Sequence, residues 1–383
     1  MTRLASGSGL FAAQKTDLSR LADLGRLRAL ASREGRDFAS NDYLALAGCR
    51  RLSGAIEAAL KRGVPVGSGG SRLLRGNHEA HEQLEEQAAR FFGAEAALYF
   101  STGYAANSAL ISTLPQAGDC IFYDEYIHAS IHEGLRLSRA VARAIPHNDV
   151  NGFSEAIRAW RVAGGRGQPW IAVESLYSMD GDQAPLAELQ EVVRRHEAIL
   201  IVDEAHATGV FGQNGRGLAD TLGERGNVIT LHTCGKAMGV EGALLCGPQI
   251  MRDHLVNRGR GFIFSTAPSP LMACCVGESL KILEDEPERR TALHDLVNHA
   301  GQVLGPLGVE VTGSQILPLI IGGDVLTMKI ATSLQESGFD VRGIRPPTVP
   351  EGTGRLRISL TLNVSTEDVD ALGDQLADLL ASA

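Results

Sequence analysis

Short apolar runs recur through the first two-thirds of the chain, and several are followed by a stretch with helical spacing. Ala96–Phe100, Cys120–Tyr123, Trp170–Val173, Ile199–Val202, Val228–Leu231 and Gly242–Cys246 read as strands. Helices are expected through Ala105–Leu110, around Ala129–Leu137, and where Leu186, Leu189, Val192 and Val193 share one face. Continuous apolar strands alternating with helices imply an α/β fold, a mainly parallel sheet covered on both faces. In such sheets ligands bind beyond the carboxyl ends of the strands. Ser101, Asp124, Glu174, Asp203 and Thr233 all fall at such ends, so polar chemistry converges where a site is expected.

The pattern changes after about Ser279. Helical stretches over Leu280–Asp285 and Arg289–Leu304 lead to strands near Val309–Val311 and Leu317–Ile321, then a helix through Met328–Gln335. Strands at Phe339–Val341 and Arg355–Leu360 and an amphipathic helix over Thr366–Leu380, with an acidic start, complete a smaller α+β lobe. A helix from about Asp17 to Ser32 has no core of its own and must pack elsewhere. The expected division is an N-terminal helix and strand segment over 1–45, a large domain over 46–279 and a small C-terminal domain over 280–383.

Composition narrows the classes. At 383 residues the chain calls for more than one lobe. A net charge of −9, with no cluster of Lys and Arg lacking acidic neighbours, argues against a nucleic-acid partner. No stretch of ~18 uncharged apolar residues is long enough to span a membrane. No apolar leader follows Met1, which points to the cytoplasm. The six cysteines contain no C-x-x-C pair and no zinc spacing, and most sit in apolar runs, as expected of a reducing compartment.

The candidate chemistry centres on Lys236, in the glycine-rich loop Thr233-Cys234-Gly235-Lys236-Ala237-Met238-Gly239. Small neighbours let a planar group approach the backbone, and their lack of charge disfavours the ammonium, favouring an amine nucleophile. The preceding strand ends in Asp203-Glu204-Ala205-His206, an acid and an imidazole suited to a pyridine nitrogen and a phenolic oxygen. Together these indicate pyridoxal 5'-phosphate (PLP). Gly103 and Tyr104, at a helix start, and the Thr233 hydroxyl suit its phosphate, and His128 could stack on its ring. Asp203-Glu204-Ala205-His206 also spells a helicase motif, but no phosphate loop of the G-x-x-x-x-G-K-[ST] kind accompanies it. His128 and His132 stand four apart without a third ligand, so no metal is expected.

These residues lie within longer matching segments: Ser40–Leu44, Gly67–Arg72, Ser101–Asn107, His128–Ser130, Glu174–Asp182, Asp203–Gly209, the lysine loop and Phe264–Thr266. In that order, over nearly the whole length, the chain resembles an α-oxoamine synthase of PLP fold type I. The resemblance implies that fold, with a seven-stranded central sheet, helices on both faces and a smaller C-terminal α+β domain. It also implies a homodimer with shared active sites. Ser178 and His206 would contact the cofactor, and Ser265 or Thr266 would reach the neighbouring subunit's phosphate. Arg357 would hold the amino-acid carboxylate, Thr348 and Asn41 would contact substrate, and Arg345 lies nearby. Arg20 and Lys15 both fall in the region of the family's substrate-contacting N-terminal arginine. Ile344–Pro350 most resembles members that join L-alanine to pimeloyl-CoA, or a pimeloyl carrier protein, giving 8-amino-7-oxononanoate in biotin synthesis. The alternative is a sister synthase that uses glycine, of the glycine C-acetyltransferase type. Cys234 and Glu241 depart from the family pattern.

Overall fold

A computed structural model describes residues 9–30, 32, 34–223 and 225–382. The first elements are helix α1 (Ala12–Asp23) and the two-residue strand β1 (Arg36–Asp37). The expected helix over 17–32 therefore lies earlier and is shorter: the chain turns at Gly25, whose φ is 65°, a conformation glycine adopts without strain.

There follow α2 (Arg50–Lys61), α3 (Glu79–Phe92), β2 (Ala96–Phe100), α4 (Gly103–Thr113), β3 (Cys120–Asp124), α5 (Ala129–Leu137), β4 (Val141–Ile145) and α6 (Val150–Val162). Next come β5 (Pro169–Glu174), α7 (Leu186–His196), β6 (Ile199–Asp203), β7 (Val228–Thr233), β8 (Ala243–Gly247), α8 (Gln249–Arg258), α9 (Arg260–Ile263) and α10 (Pro270–Asp285). The seven strands form one sheet in the order β2-β8-β7-β6-β5-β3-β4. It is parallel from β7 through β4, and β8 alone runs antiparallel to both its neighbours.

Along β6 the side chains alternate between two cores. Ile201 joins the cluster of Leu110, Ile121, Ile131 and Leu245, whereas Leu200 and Val202 join that of Phe122, Phe153, Leu189 and Val193. Burial on both faces explains why the strand carries no polar alternation. Edge strand β4 is the exception. Val141, Ala142 and Ala144 are exposed, and Val-Ala-Arg-Ala-Ile lacks the long apolar run of its neighbours, so periodicity alone missed it.

After α11 (Pro287–Leu304) the chain forms β9 (Ile316–Gly322), α12 (Asp324–Glu336), β10 (Phe339–Asp340), β11 (Arg342–Ile344), β12 (Gly354–Ser359) and α13 (Thr366–Ala381). Strands β11, β12 and β9 make an antiparallel sheet, and β1 pairs in parallel with β10. The strand expected at Val309–Val311 is not formed. Among the described residues, the Glu310 N–H donates to the Pro318 carbonyl as an isolated ladder-like bond, and the Val309 N–H turns back to the Leu304 carbonyl.

By contacts the chain divides into two compact units, one over 41–295 with 361–363, the other comprising the segment ending at Ser40, 296–360 and the chain from Val364.

Candidate active site

Within the first unit, four parallel strands end on the same rim of the sheet, at Asp124, Glu174, Asp203 and Thr233. The loop after β7 is held as a tight return: the Cys234 N–H donates to the Gly242 carbonyl, the Val240 N–H to that of Cys234, and the Gly239 N–H to that of Lys236. Gly239 has φ 67°, and a Cβ there would stand 2.5 Å from the backbone carbon of Leu46, so only glycine closes the loop. Cys234 is fully buried as part of this packing, and the Glu241 carbonyl accepts from the Tyr99 hydroxyl at 3.0 Å.

The loop delivers the Lys236 Nζ to 2.6 Å from the His206 Nε2. The other ring nitrogen of His206, Nδ1, lies 2.6 Å from the hydroxyl of Tyr43. Tyr43 is fully buried, and its hydroxyl donates to the Asn41 Oδ1 at 3.0 Å. Lys236, His206, Tyr43 and Asn41 thus form one chain of hydrogen bonds. Tyr43 was visible in the sequence only as part of a family segment, with no role of its own.

Asp203 is buried, with one oxygen accepting from the Asn107 Nδ2 at 2.7 Å and the other from the Ala205 N–H at 2.9 Å. The same Asn107 nitrogen is 3.0 Å from the Ser130 Oγ, which is 2.7 Å from the His128 Nδ1. His128 caps α5 through Nδ1 and is exposed, its ring edge-on to half-exposed Tyr104 at 6.5 Å. Desolvation holds its pKa below the usual histidine value and outweighs the opposing pull of Asp203. Glu174, wholly buried beside Asp203, has its carboxyl pushed well up by burial and then by the Asp203 charge. The Ser178 N–H donates to it, which brings the Ser178 turn to the same rim.

At the start of α4 the Thr102 hydroxyl caps the Ala105 N–H, and the first helical bond runs from Ala106 to Thr102. The amides of Gly103 and Tyr104 precede that bond and are among the N–H groups that a helix start leaves without a helical partner, the kind of donors that suit an anion. A Cβ on Gly103 would meet the Thr233 Oγ1 at 3.6 Å, so glycine leaves open the cradle between helix start and threonine. Backbone amides and a hydroxyl for a phosphate, an acid for a ring nitrogen, a histidine face and an amine are the donor set PLP requires, and the residues fit it.

One part of the rim escaped the sequence reading. His147 lies between two carboxylates: Nδ1 is 2.9 Å from the Asp124 Oδ1 and Nε2 is 2.8 Å from the Asp182 Oδ2. Its ring stacks on Tyr126 and meets Tyr177 edge-on. Burial alone would lower its pKa, but the bonds to Asp124 and Asp182 override this and raise it to about 10. The turn over residues 177–182, which carries Ser178, is thereby tied to β3 and β4. The only signal was the polar His147-Asn148-Asp149 just past an unrecognised edge strand.

The remaining candidates lie elsewhere. Ser265 and Thr266 are on an exposed loop after α9, tied to residue 70 by the Ala267 N–H, and no hydrogen bond among the described residues links them to Lys236. Arg345, Thr348 and Arg357 belong to the second unit. Arg357 is buried on β12 and donates to the Ser359 Oγ at 2.7 Å. Arg345 follows β11, donates to the Leu27 carbonyl, and has its pKa lowered by burial and by nearby Arg28. Arg28 itself donates to the Thr348 hydroxyl at 3.4 Å, an arginine that the sequence reading did not name. Arg20, on α1, is exposed and pairs with Asp17.

Comparison with known proteins gives a consistent picture. The description "aminotransferase class I and II" matches residues 33–376. An 8-amino-7-oxononanoate synthase of Paraburkholderia xenovorans is 43% identical over 356 residues, 90% of this chain and 89% of that protein. A serine palmitoyltransferase from S. paucimobilis, solved with a bound PLP–myriocin aldimine, superposes with TM-score 0.88 at 25% identity, covering 97% of this chain and 98% of that one. An 8-amino-7-oxononanoate synthase from Francisella tularensis gives TM-score 0.77 at 28% identity, covering 91% and 98%.

Proposed function

The chain belongs to the class I and II aminotransferase family, and on that premise we propose that it condenses L-alanine with pimeloyl-CoA, or a pimeloyl carrier protein. The products are 8-amino-7-oxononanoate, the free thiol and CO2, in biotin biosynthesis. The observation that carries this reading is the relative in Paraburkholderia named for the activity, which matches over 90% of this chain and 89% of its own length. The enzyme is a PLP-dependent acyltransferase, with the cofactor bound in the large domain (46–279), which an N-terminal segment (1–45) precedes and a small domain (280–383) follows in the sequence.

Bound PLP supplies an electron sink for the pair left on the amino acid's α-carbon when a proton or CO2 departs. The protein does the rest. Lys236 anchors the cofactor through its amine, then takes the α-proton and returns one after decarboxylation. Asp203 pairs with the ring nitrogen and keeps it protonated, with its charge set in place by Asn107 and the Ala205 N–H before substrate arrives. His206 would hold the phenolic oxygen, Ser178 would contact the cofactor, and Gly103, Tyr104 and Thr233 would hold the phosphate. His128 would cover the ring and polarise the keto group that the acyl donor brings. Arg357 grips the amino-acid carboxylate with a planar fork, and Asn41, Arg345 and Thr348 contact substrate.

We read the working enzyme as a cytoplasmic homodimer in which Ser265 or Thr266 reaches the phosphate held by the neighbouring subunit. No helix among the described residues is long and apolar enough to cross a membrane.

A mass-spectrometric product assay, offering alanine or glycine with a panel of acyl thioesters, tests the reading. An amino ketone formed from alanine and the pimeloyl thioester is expected. A product formed from glycine and a shorter acyl-CoA would move the chain to the sister activity.

A further inference from the structure

The buried hydrogen bonds around Asp203 run in only one direction, and that direction reaches His128. A carboxylate offers lone pairs and no proton, so the Asn107 amide must turn its NH2 toward the Asp203 Oδ2, 2.7 Å away. The flipped amide would set Oδ1 against the carboxylate, oxygen facing oxygen, with nothing to offset the repulsion in a buried place. Asn107, Ser130 and Asp203 are 1%, 0% and 4% exposed, so water does not compete for these bonds.

With the amide so oriented, its second N–H lies along the 3.0 Å contact to the Ser130 Oγ, which accepts. The Ser130 hydroxyl has a single proton of its own, and that proton is left to point at the His128 Nδ1, 2.7 Å away. The backbone N–H of Ser130 also aims at this nitrogen, at 3.2 Å. Two donors converging on Nδ1 require it to hold a lone pair. A neutral imidazole then carries its proton on Nε2.

We propose that Asn107 and Ser130 are positioning residues that relay the orientation imposed by Asp203 to His128 and fix it as the Nε2–H tautomer. In that form Nε2 is a hydrogen-bond donor on a residue that is exposed. It can donate to the carbonyl oxygen that the acyl group brings and that becomes the ketone of the product, without any change of protonation. The lowered pKa of His128 agrees with a ring that stays neutral while it does so. One residue, Asp203, thereby orders both faces of the chemistry: directly at the cofactor's ring nitrogen, and through two neutral side chains at the acyl oxygen. This rests on the reading of His128 as a residue facing cofactor and substrate.

The test is nitrogen NMR of the PLP-loaded enzyme carrying 15N-histidine, with the His128 signals identified by their loss in His128→Gln. A pyridine-type shift for Nδ1 and a pyrrole-type shift for Nε2 near neutral pH are expected. A proton on Nδ1, or a doubly protonated ring, would overturn the proposal. Ser130→Ala leaves only the backbone donor, and Asn107→Ala frees the hydroxyl to rotate. Each should shift the His128 nitrogens toward a tautomer mixture and lower kcat several-fold with little change in the alanine KM. Either variant folding normally with both shifts and kcat unchanged would remove that residue from the relay. The shifts are read on resting enzyme, whereas the substrate assignment is read from products, so failure of one is distinguishable from failure of the other.

Discussion

The Lys236 Nζ and the His206 Nε2 stand 2.6 Å apart, and the opposite nitrogen of the same ring meets the Tyr43 hydroxyl at the same distance. A fully buried tyrosine therefore sets the angle at which histidine meets the lysine. Tyr43→Phe keeps the packing and removes the bond, worth about 0.5–1.5 kcal/mol, which corresponds to roughly 2- to 10-fold in rate. Steady-state kinetics on a variant of unchanged stability should show a fall of that size in kcat. An unaltered kcat would mean that His206 is oriented by its packing alone.

Lys236 carries the sharpest expectation. Borohydride reduction and peptide mapping of the yellow enzyme should place the pyridoxyl group on Lys236. Lys236→Ala should retain PLP without a covalent link and lose the ~10²–10⁴-fold due to a positioned base. A label on another lysine would sink the assignment.

What could be read from the chain, and what could not, divides along physical lines. Strands β5 and β6 are apolar up to their last residue because both faces are buried, so Glu174 and Asp203 stood out at their ends, while Thr233 closes β7 after its apolar start Val228-Ile229. Strand β4 has one buried residue and gave no such contrast, and His147 behind it went unseen. The roles of Tyr43 and Asn107, and the link from Asn107 to Ser130, depend on hydrogen bonds between residues 23 to 163 positions apart, which no local pattern encodes. Arg28 lies 320 positions from its partner Thr348 and was hidden for the same reason.

Asp203 should be intolerant of neutralisation. Asp203→Asn keeps the shape but loses the charge paired with the ring nitrogen, a charge-assisted bond of about 1.5–3 kcal/mol, so cofactor retention should fall by about 10- to 100-fold. Asp203→Glu should retain PLP better than Asn. Dialysis followed by cofactor absorbance ranks the three proteins, and an Asn variant equal to wild type would assign the ring nitrogen to another acid.

The His147 clamp predicts a pH dependence of stability. Its folded pKa, about 10, lies above the ordinary 6.5, so its stabilisation is complete below about pH 6.5 and is lost as pH rises toward 10. Asp124 acts at the other end, since its pKa is lowered: burial opposes this, but the bonds from His147, Asn148 and Tyr126 prevail. Its share is present above the ordinary carboxyl range and lost as pH falls below it. Urea denaturation of wild type and His147→Gln across pH 6–10 should show the wild-type advantage shrinking with rising pH. A difference constant across that window would mean that His147 is uncharged.

Arg357 is the proposed anchor of the amino-acid carboxylate, and specificity is expected to follow the size of the acyl and amino-acid groups admitted. Arg357→Ala should raise the alanine KM strongly, and Arg357→Lys should rank between the two because it keeps the charge without the bidentate fork. For the wild type, alanine with the pimeloyl thioester should exceed glycine with acetyl-CoA by at least about ten-fold in kcat/KM, only ~1.4 kcal/mol of transition-state binding. A pocket that registers one methyl and a seven-carbon diacid chain can supply that much, since a single methylene is worth about 1–3 kcal/mol. The two ratios measured side by side decide the matter, and a preference for glycine would reassign the acyl acceptor while leaving Lys236, Asp203 and His206 in their roles.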